Sequence, residues 1–309
     1  MSKVLVTGAA GFIGRHVVPL LAANGHTPRV LVSLRNMQQP GFARDFAAVV
    51  PSHEFHAGNL PDAELAERLC HGVDVVVHMA GVAHVNADAA ALRTANLDAT
   101  LELARAAKAQ GVQRFIFASS SKARYPAHSL YAQLKADAEA ALQELRSADF
   151  DVVCVRPSLV YGRGMRGNLR SLLRVLSRRM LPAFPSSLQP LGMISVEDMA
   201  RALLNAVEAE TLPQQIWELS DGQVYTLDGI VRAVRNELQL SQPAVRLPRQ
   251  LFRIAATLAG LTGMSFSQGT YRALFEEPYV HDAAFSRHTG FVAHDTFFAR
   301  LPDLLDDML

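Results

Sequence analysis

The chain has 309 residues, half of them hydrophobic, which is enough to bury a large core in one large or two unequal domains. A formal net charge of +1, from 30 basic and 29 acidic residues, argues against a nucleic-acid or anionic-membrane partner and in favour of small molecules. Cys70 and Cys154 form no CxxC motif and no apolar run matches a leader or a membrane span, so we expect a soluble cytoplasmic protein without structural disulfides or metal.

The N-terminal segment reads as a strand, a glycine turn and a helix. A β-branched run over residues 3–7 precedes Gly8, Gly11 and Gly14, and a helical apolar pattern follows. Such a turn offers backbone N–H groups and a helix dipole to a pyrophosphate, which approaches where side chains are missing. The GxxGxxG spacing differs from the GxGxxG fingerprint, and for this motif alone a tight turn without a ligand is the alternative.

Strands and helices then alternate. Apolar runs predict strands at 30–34, 54–56, 73–78, 114–118 and 151–155, and helices at 61–70, 87–109 and 131–146. This alternation predicts an α/β, Rossmann-like doubly wound parallel sheet with its ligand at the carboxyl ends of the strands. The pattern loosens afterwards. We therefore expect an NAD(P)-binding domain over 1–164 and a smaller, partly interleaved α/β substrate lobe over 165–309.

A tyrosine and a lysine in the helix predicted at 131–146 have the spacing of an acid/base pair. Tyr131 and Lys135 are four residues apart, which puts both side chains on one face of a helix. A cation beside a phenol favours the phenolate, so proton exchange by Tyr131 near neutral pH is expected. Ser119, Ser120 and Ser121 follow the strand predicted just before this helix.

Six motifs in order over residues 4–164 give the chain a family resemblance. They are the glycine turn after Thr7, His78-Met79-Ala80-Gly81, Asn96-Leu97-Asp98-Ala99-Thr100, Phe117-Ala118-Ser119-Ser120, Tyr131-x-x-x-Lys135 and Arg156-Pro157-x-x-Val160-Tyr161-Gly162. Together they resemble the extended short-chain dehydrogenases/reductases, in particular the NAD-dependent epimerase/dehydratase group that acts on nucleotide sugars.

The resemblance implies roles for individual residues. Tyr131 would be the acid/base, Lys135 would lower its pKa, Ser120 (or Ser121 as second choice) would be the catalytic hydroxyl, and Asn96 would support the active-site helix. The implied cofactor-binding residues are Gly8, Gly11, Phe12, Ile13, Gly14, Asn59, Leu60, Met79, Ala80, Gly81, Tyr131, Lys135 and Pro157. The implied substrate-binding residues are Ser120, Ser121, Arg166 and Asn168.

Departures from the family pattern narrow the expected chemistry. Dehydratases carry an acidic pair directly after the catalytic hydroxyl, where this chain has Ser121 and Lys122. Elimination of water is therefore disfavoured, and reduction or epimerisation at C4 of a nucleotide sugar, as in surface-polysaccharide synthesis, is expected. Tyr131 follows Ser120 by only eleven positions, shorter than is usual in the family, which indicates an altered substrate mouth.

The segment after the second strand bears on the cofactor. An NAD-selective site needs a carboxylate there for the ribose hydroxyls, but the chain has Ser33 and Arg35. These side chains suit a 2′-phosphate, so NADP is slightly favoured over NAD.

The sequence therefore predicts an NAD(P)-dependent nucleotide-sugar epimerase or 4-ketoreductase. It leaves open a carbonyl reductase for a non-sugar ketone and a non-catalytic dinucleotide sensor. The resemblance also implies a homodimer, formed through the helices at 87–109 and 131–146.

Overall fold

The computed structural model describes residues 1–37, 50–51, 54–83, 88–165, 167–177, 185–241, 248–261, 268–280 and 282–307. Its contacts divide the chain into two compact units. The first contains Met1–Pro157, Met199–Leu219 and Ala283–Phe291, and the second contains Ser158–Asp198, Ser220–Asp282 and Val292–Leu309. The division at residue 164 stays a prediction of the sequence.

The first unit is built on a seven-stranded sheet. Its strands are β1 Lys3–Thr7, β2 Thr27–Val32, β3 Phe55–Ala57, β4 Val75–His78, β5 Arg114–Ala118, β6 Asp151–Pro157 and β9 Ile216–Leu219. They lie in the order β3-β2-β1-β4-β5-β6-β9, and every neighbouring pair is parallel. This arrangement confirms the predicted Rossmann-like fold, and it brings the carboxyl ends of β1, β4 and β5 to one edge.

Helices connect these strands. They are α1 Gly14–Ala23, the short α2 Leu34–Met37, α3 Ala63–Cys70, α4 Ala89–Arg93, α5 Ala99–Ala109 and α6 Leu130–Leu145. A π-turn over Thr94–Asp98 joins α4 to α5, so the helix predicted at 87–109 is interrupted. Two 3₁₀ turns, Ser121–Arg124 and Pro126–His128, join β5 to α6.

Side-chain caps fix where the helices begin. Asp62 accepts a hydrogen bond from the Leu65 N–H at 3.0 Å and starts α3. Ser129 accepts one from the Ala132 N–H at 3.1 Å and starts α6. Such caps satisfy N–H groups that have no partner within the helix, and the second one determines the helical phase of Tyr131.

The core of the first unit lies between the sheet and helices α3, α5 and α6. The central strands read as continuous apolar runs, as expected for strands covered on both faces. The buried residues at its centre include Leu5, Leu69, Leu103, Phe115, Phe117, Leu142 and Phe150. Packing of Leu134, Ala138 and Leu142 therefore holds α6 against the sheet.

The second unit contains a two-stranded parallel pair, β7 Leu159–Tyr161 and β8 Met193–Ser195. Its helices include α7 Asn168–Ser177, α9 Leu227–Glu237, α10 Arg249–Leu261, α11 Gln268–Phe275 and α13 Phe297–Asp306. Helix α8 Val196–Glu208 begins in this unit and continues into the first, to which α12 Ala284–Thr289 also belongs. Across the described ranges, no helix combines the length and apolarity that crossing a bilayer requires.

Candidate active site

The glycine turn between β1 and α1 has a shape that only small residues allow. Gly8 has a φ of +72°, and a Cβ there would lie 2.8 Å from the backbone nitrogen of Ala80. A Cβ on Gly14 would lie 2.3 Å from the Gly8 carbonyl oxygen, and one on Gly11 would lie 2.9 Å from the same atom. The turn is therefore a cradle that added side chains would fill.

The N-terminus of helix α1 lies at the end of this glycine turn and suits an anion. Ile13 precedes its first residue and supplies no side-chain hydrogen bond to the helix N-terminus. Phe12 and Ile13 are half-buried beside it. A helix start without a side-chain cap, next to a glycine turn, suits a pyrophosphate, so these residues fit the dinucleotide that the sequence predicts.

A hydrogen-bonded chain links the neighbouring strand ends. The Thr7 hydroxyl lies 2.7 Å from His78 Nδ1, and His78 Nε2 lies 3.0 Å from the Thr100 hydroxyl, which donates to the Asn96 carbonyl. Burial, with a smaller contribution from Lys135, lowers the pKa of His78 to about 3. His78 is thus a neutral residue that joins β1 and β4 to the π-turn.

Asn96 ties the π-turn to the loop after β4. Its Nδ2 donates to the carbonyls of Val82 and Leu92 at 2.9 and 3.0 Å, and its Oδ1 accepts from the Val82 N–H at 3.2 Å. A Cβ on Gly81 would lie 2.7 Å from that Oδ1. Asn96 is buried, and it fixes the path of residues 79–82, which contain the predicted cofactor contacts Met79, Ala80 and Gly81.

Ser120, Tyr131 and Lys135 come together beside these strand ends. Burial raises the pKa of the Tyr131 phenol, and a hydrogen bond with the Ser120 side chain lowers it in part. The direction differs from the sequence expectation, because removal of the phenolate from water is the largest contribution. Ser120 also caps the first 3₁₀ turn, accepting from the Lys122 N–H at 3.3 Å, and Ser121 is half-buried next to it.

Lys135 is buried with its ammonium held in place. Nζ donates to the Ala118 carbonyl at 2.9 Å and lies 4.3 Å from the centre of the Phe117 ring. Burial lowers its pKa from 10.5 to about 8, while Glu139 acts in the opposite direction. The result is a proton-bearing group poised near neutral pH, one helical turn from Tyr131.

The remaining predicted residues are more dispersed. Arg35 and Asn59 are exposed after β2 and β3, where the Asn59 side chain accepts from the Leu34 N–H at 3.3 Å. Ser33 and Leu60 are half-buried, and Pro157 is buried at the end of β6. Arg166 lies outside the described residues, and Asn168 begins α7 with a side chain that is not described.

Sequence reasoning missed two features of this site. It assigned no role to Glu139, which lies one turn beyond Lys135, or to Arg124 in the short segment before α6. Both side chains belong to an ion-pair chain described below. The i, i+4, i+8 spacing of Tyr131, Lys135 and Glu139 was a signal for the first of them.

Comparison with known proteins gives consistent matches. The family model for the NAD dependent epimerase/dehydratase family matches residues 4–219. A ceramide reductase of Caulobacter vibrioides is 35% identical over 79% of this chain and 73% of its own length. A UDP-glucose 4-epimerase of Vibrio cholerae is 26% identical over 80% and 78%, respectively.

A solved structure shares the fold. The UDP-glucuronic acid 4-epimerase of Bacillus cereus, in complex with UDP-glucuronic acid and NAD, superimposes with a TM-score of 0.74. The alignment covers 99% of this chain and 98% of that one at 18% sequence identity. Identity this low supports the architecture alone.

Proposed function

Because the chain belongs to the NAD dependent epimerase/dehydratase family, we propose that it transfers a hydride between a nicotinamide dinucleotide and a carbon bearing oxygen. The observation that carries this proposal is the Ser120–Tyr131–Lys135 cluster beside the glycine cradle. A dinucleotide-sensing protein would need the cradle but not the buried acid/base pair. The catalytic reading is therefore favoured over the sensor.

Each residue of the cluster has a task in this mechanism. The backbone around Gly8, Gly11 and Gly14 would hold the pyrophosphate, and the bound cofactor would supply or accept the hydride. Tyr131 would pass its phenolic proton to the substrate oxygen. Ser120 would donate a hydrogen bond to that oxygen as charge develops, and the Lys135 ammonium would stabilise the phenolate that remains.

The raised pKa of Tyr131 favours reduction over oxidation as the first step. A phenol that stays protonated at neutral pH is the form that donates to a carbonyl oxygen. The first candidate is therefore reduction of a ketone to a secondary alcohol, in which the carbon gains a hydride and the oxygen gains the Tyr131 proton.

The relative at 35% identity favours a lipid ketone as the substrate. Only two short 3₁₀ turns lie between Ser120 and Tyr131, and so short a segment would leave the substrate mouth open to a long apolar chain. We therefore infer a long-chain ketone of the ceramide class as the preferred substrate.

The second candidate is the C4 chemistry of a nucleotide sugar, by epimerisation or ketone reduction, with Tyr131 as acid/base. The match to a UDP-glucose 4-epimerase supports it. Dehydration is disfavoured by Ser121 and Lys122, which occupy the positions of an acidic pair. For either candidate substrate, we further propose that NADP is the preferred cofactor, that the protein is a homodimer and that it is cytoplasmic.

A substrate panel tests the proposal. Purified protein is incubated with NADPH or NADH and either keto-lipids in mixed micelles or uridine and thymidine diphospho-sugars, followed by nicotinamide absorbance and by product analysis for redox-neutral epimerisation. Tyr131→Phe should retain cofactor binding and lose about 100-fold or more in turnover. Absence of turnover on both panels, or full activity of the variant, would refute the proposal.

A further inference from the structure

A chain of four alternating charges runs through the first unit. Arg124 Nη2 lies 2.7 Å from Glu218 Oε1, and the same oxygen lies 3.3 Å from Arg156 Nη1. Arg156 then makes two hydrogen bonds to Glu139, with Nε to Oε1 at 2.8 Å and Nη2 to Oε2 at 2.5 Å. The order is cation, anion, cation, anion, so every neighbouring pair attracts.

Three of the four side chains in this ion-pair series are shielded from water. The side chains of Glu139, Glu218 and Arg156 are 3%, 9% and 13% exposed, whereas that of Arg124 is 35% exposed. A buried carboxylate is costly unless it is paired and hydrogen-bonded. Glu139 meets this condition through two bonds from one guanidinium, and Glu218 meets it through two guanidinium groups.

The first and last residues of this ion-pair series, Arg124 and Glu139, lie close in sequence to Ser120 and Lys135. Arg124 ends the 3₁₀ turn that begins directly after Ser120, and Glu139 lies one turn beyond Lys135 on α6. Glu218 and Arg156 lie on the paired strands β9 and β6, where they are register partners. The series of ion pairs therefore connects the Ser120 segment to the Tyr131 helix through the paired strands β6 and β9.

The Ser120 segment needs such a connection. It consists of two single 3₁₀ turns closed by short-range bonds, among them those from the Tyr125 N–H to the Lys122 carbonyl and from the His128 N–H to the Tyr125 carbonyl, and both turns pack against α6. Short 3₁₀ turns have poor hydrogen-bond geometry and little stability of their own, so contacts to other elements decide where the segment lies. The ion pair from Arg124 joins the segment to a strand 94 residues later.

We propose that Arg124 is a positioning residue, which through Glu218 holds the segment that begins at Ser120 in register with Tyr131. Its relevance to turnover rests on the proposed function, whereas the structural restraint does not. Loss of the restraint lets the Ser120 hydroxyl leave the Tyr131 phenol while the cofactor cradle stays intact.

Hydrogen exchange on the free protein tests the restraint directly. Arg124→Ala should speed amide exchange in residues 121–130 by about fivefold or more, with the peptides around Gly8–Gly14 unchanged. Arg146→Ala is the matched control, because Arg146 is also partly exposed and pairs with Asp151 at 3.1 Å, but it lies at the far end of α6. Unchanged exchange in residues 121–130 of Arg124→Ala would overturn the proposal whether or not a substrate is known.

Kinetics on the substrate found by the panel tests the link to chemistry. Arg124→Ala should lower kcat roughly tenfold with KM within about twofold. Arg124→Lys should recover most of the rate, since a single N–H group makes the contact. Arg124→Ala combined with Glu218→Gln should lose no more than the worse single variant.

Two kinetic outcomes contradict the proposal. A rise in KM alone would make Arg124 a substrate contact, and fully additive losses would separate it from Glu218. If the wild-type protein turns over neither panel, the proposed function fails, and the exchange experiment still decides the restraint.

Discussion

Burial of Lys135 should leave a measurable mark on the pH dependence of folding. Its pKa is about 8 in the folded protein instead of 10.5, so between these values the unfolded chain binds more protons and stability rises with pH. Below about pH 8 the cost of the buried ammonium is complete, at about 3 kcal/mol for a shift of this size. Between about pH 7 and about pH 9.5, roughly 2 kcal/mol of that cost disappears.

Lys135→Met isolates this contribution, because methionine fills a similar volume without a charge. We expect the unfolding free energy of the wild type, from urea titrations followed by circular dichroism, to rise by about 2 kcal/mol relative to the variant over that pH interval. Lys108→Met is the control, since Lys108 donates to the Leu145 carbonyl from an exposed position on α5, and it should run parallel to the wild type. If Lys135→Met also runs parallel, burial does not depress this pKa and the reasoning is wrong.

Three further variants and one control test single contacts in the first unit. Gly14→Ala puts a Cβ 2.3 Å from the Gly8 carbonyl oxygen and should cost about 1–3 kcal/mol of stability in thermal unfolding together with dinucleotide affinity; Gly111→Ala, at a positive φ with open space around it, should cost only about 1–2 kcal/mol and leave affinity intact. Ser119→Ala removes a buried hydroxyl that has no partner within the described ranges, so the unfolding free energy should stay equal or rise by up to about 1 kcal/mol. A decrease of the unfolding free energy by more than about 1 kcal/mol would show that the hydroxyl has a partner. Arg35→Ala should weaken NADP binding about tenfold in calorimetric titrations and spare NAD, whereas equal weakening of both would contradict a 2′-phosphate contact.

Continuous apolar runs made the central sheet predictable. Strand β5 begins and ends where its sequence predicts, because Phe115, Ile116 and Phe117 are all buried and leave no periodicity to misread. The second strand lies at Thr27–Val32, earlier in the sequence than the predicted range 30–34. Ser33 already begins a turn, and its carbonyl accepts from the Asn36 and Met37 N–H groups, so Leu34 belongs to a short helix.

The details of the site depend on contacts that one sequence does not display. The π-turn over Thr94–Asp98 interrupts a segment with good helical composition, and Asn96 in that turn bonds to Val82, fourteen residues earlier. The pKa of Tyr131 was expected to fall because a lysine is four residues away, but the degree of burial decides the direction. Spacing brings residues onto one face, whereas the solvent around them follows only from the assembled fold.

Strand β9 has a consequence for how the protein is made. It is the seventh strand of the sheet and pairs with β6. The register partners Cys154 and Ile216 are 62 residues apart in sequence. Trp217 on β9 is in turn covered by Phe285, with ring centres 5.7 Å apart. During synthesis the N-terminal part of the chain leaves the ribosome with β6 as an open edge, which is prone to pairing with other chains. A fragment ending near residue 164 should therefore aggregate during expression, because β6 gains its partner strand only after the chain has been translated past Leu219.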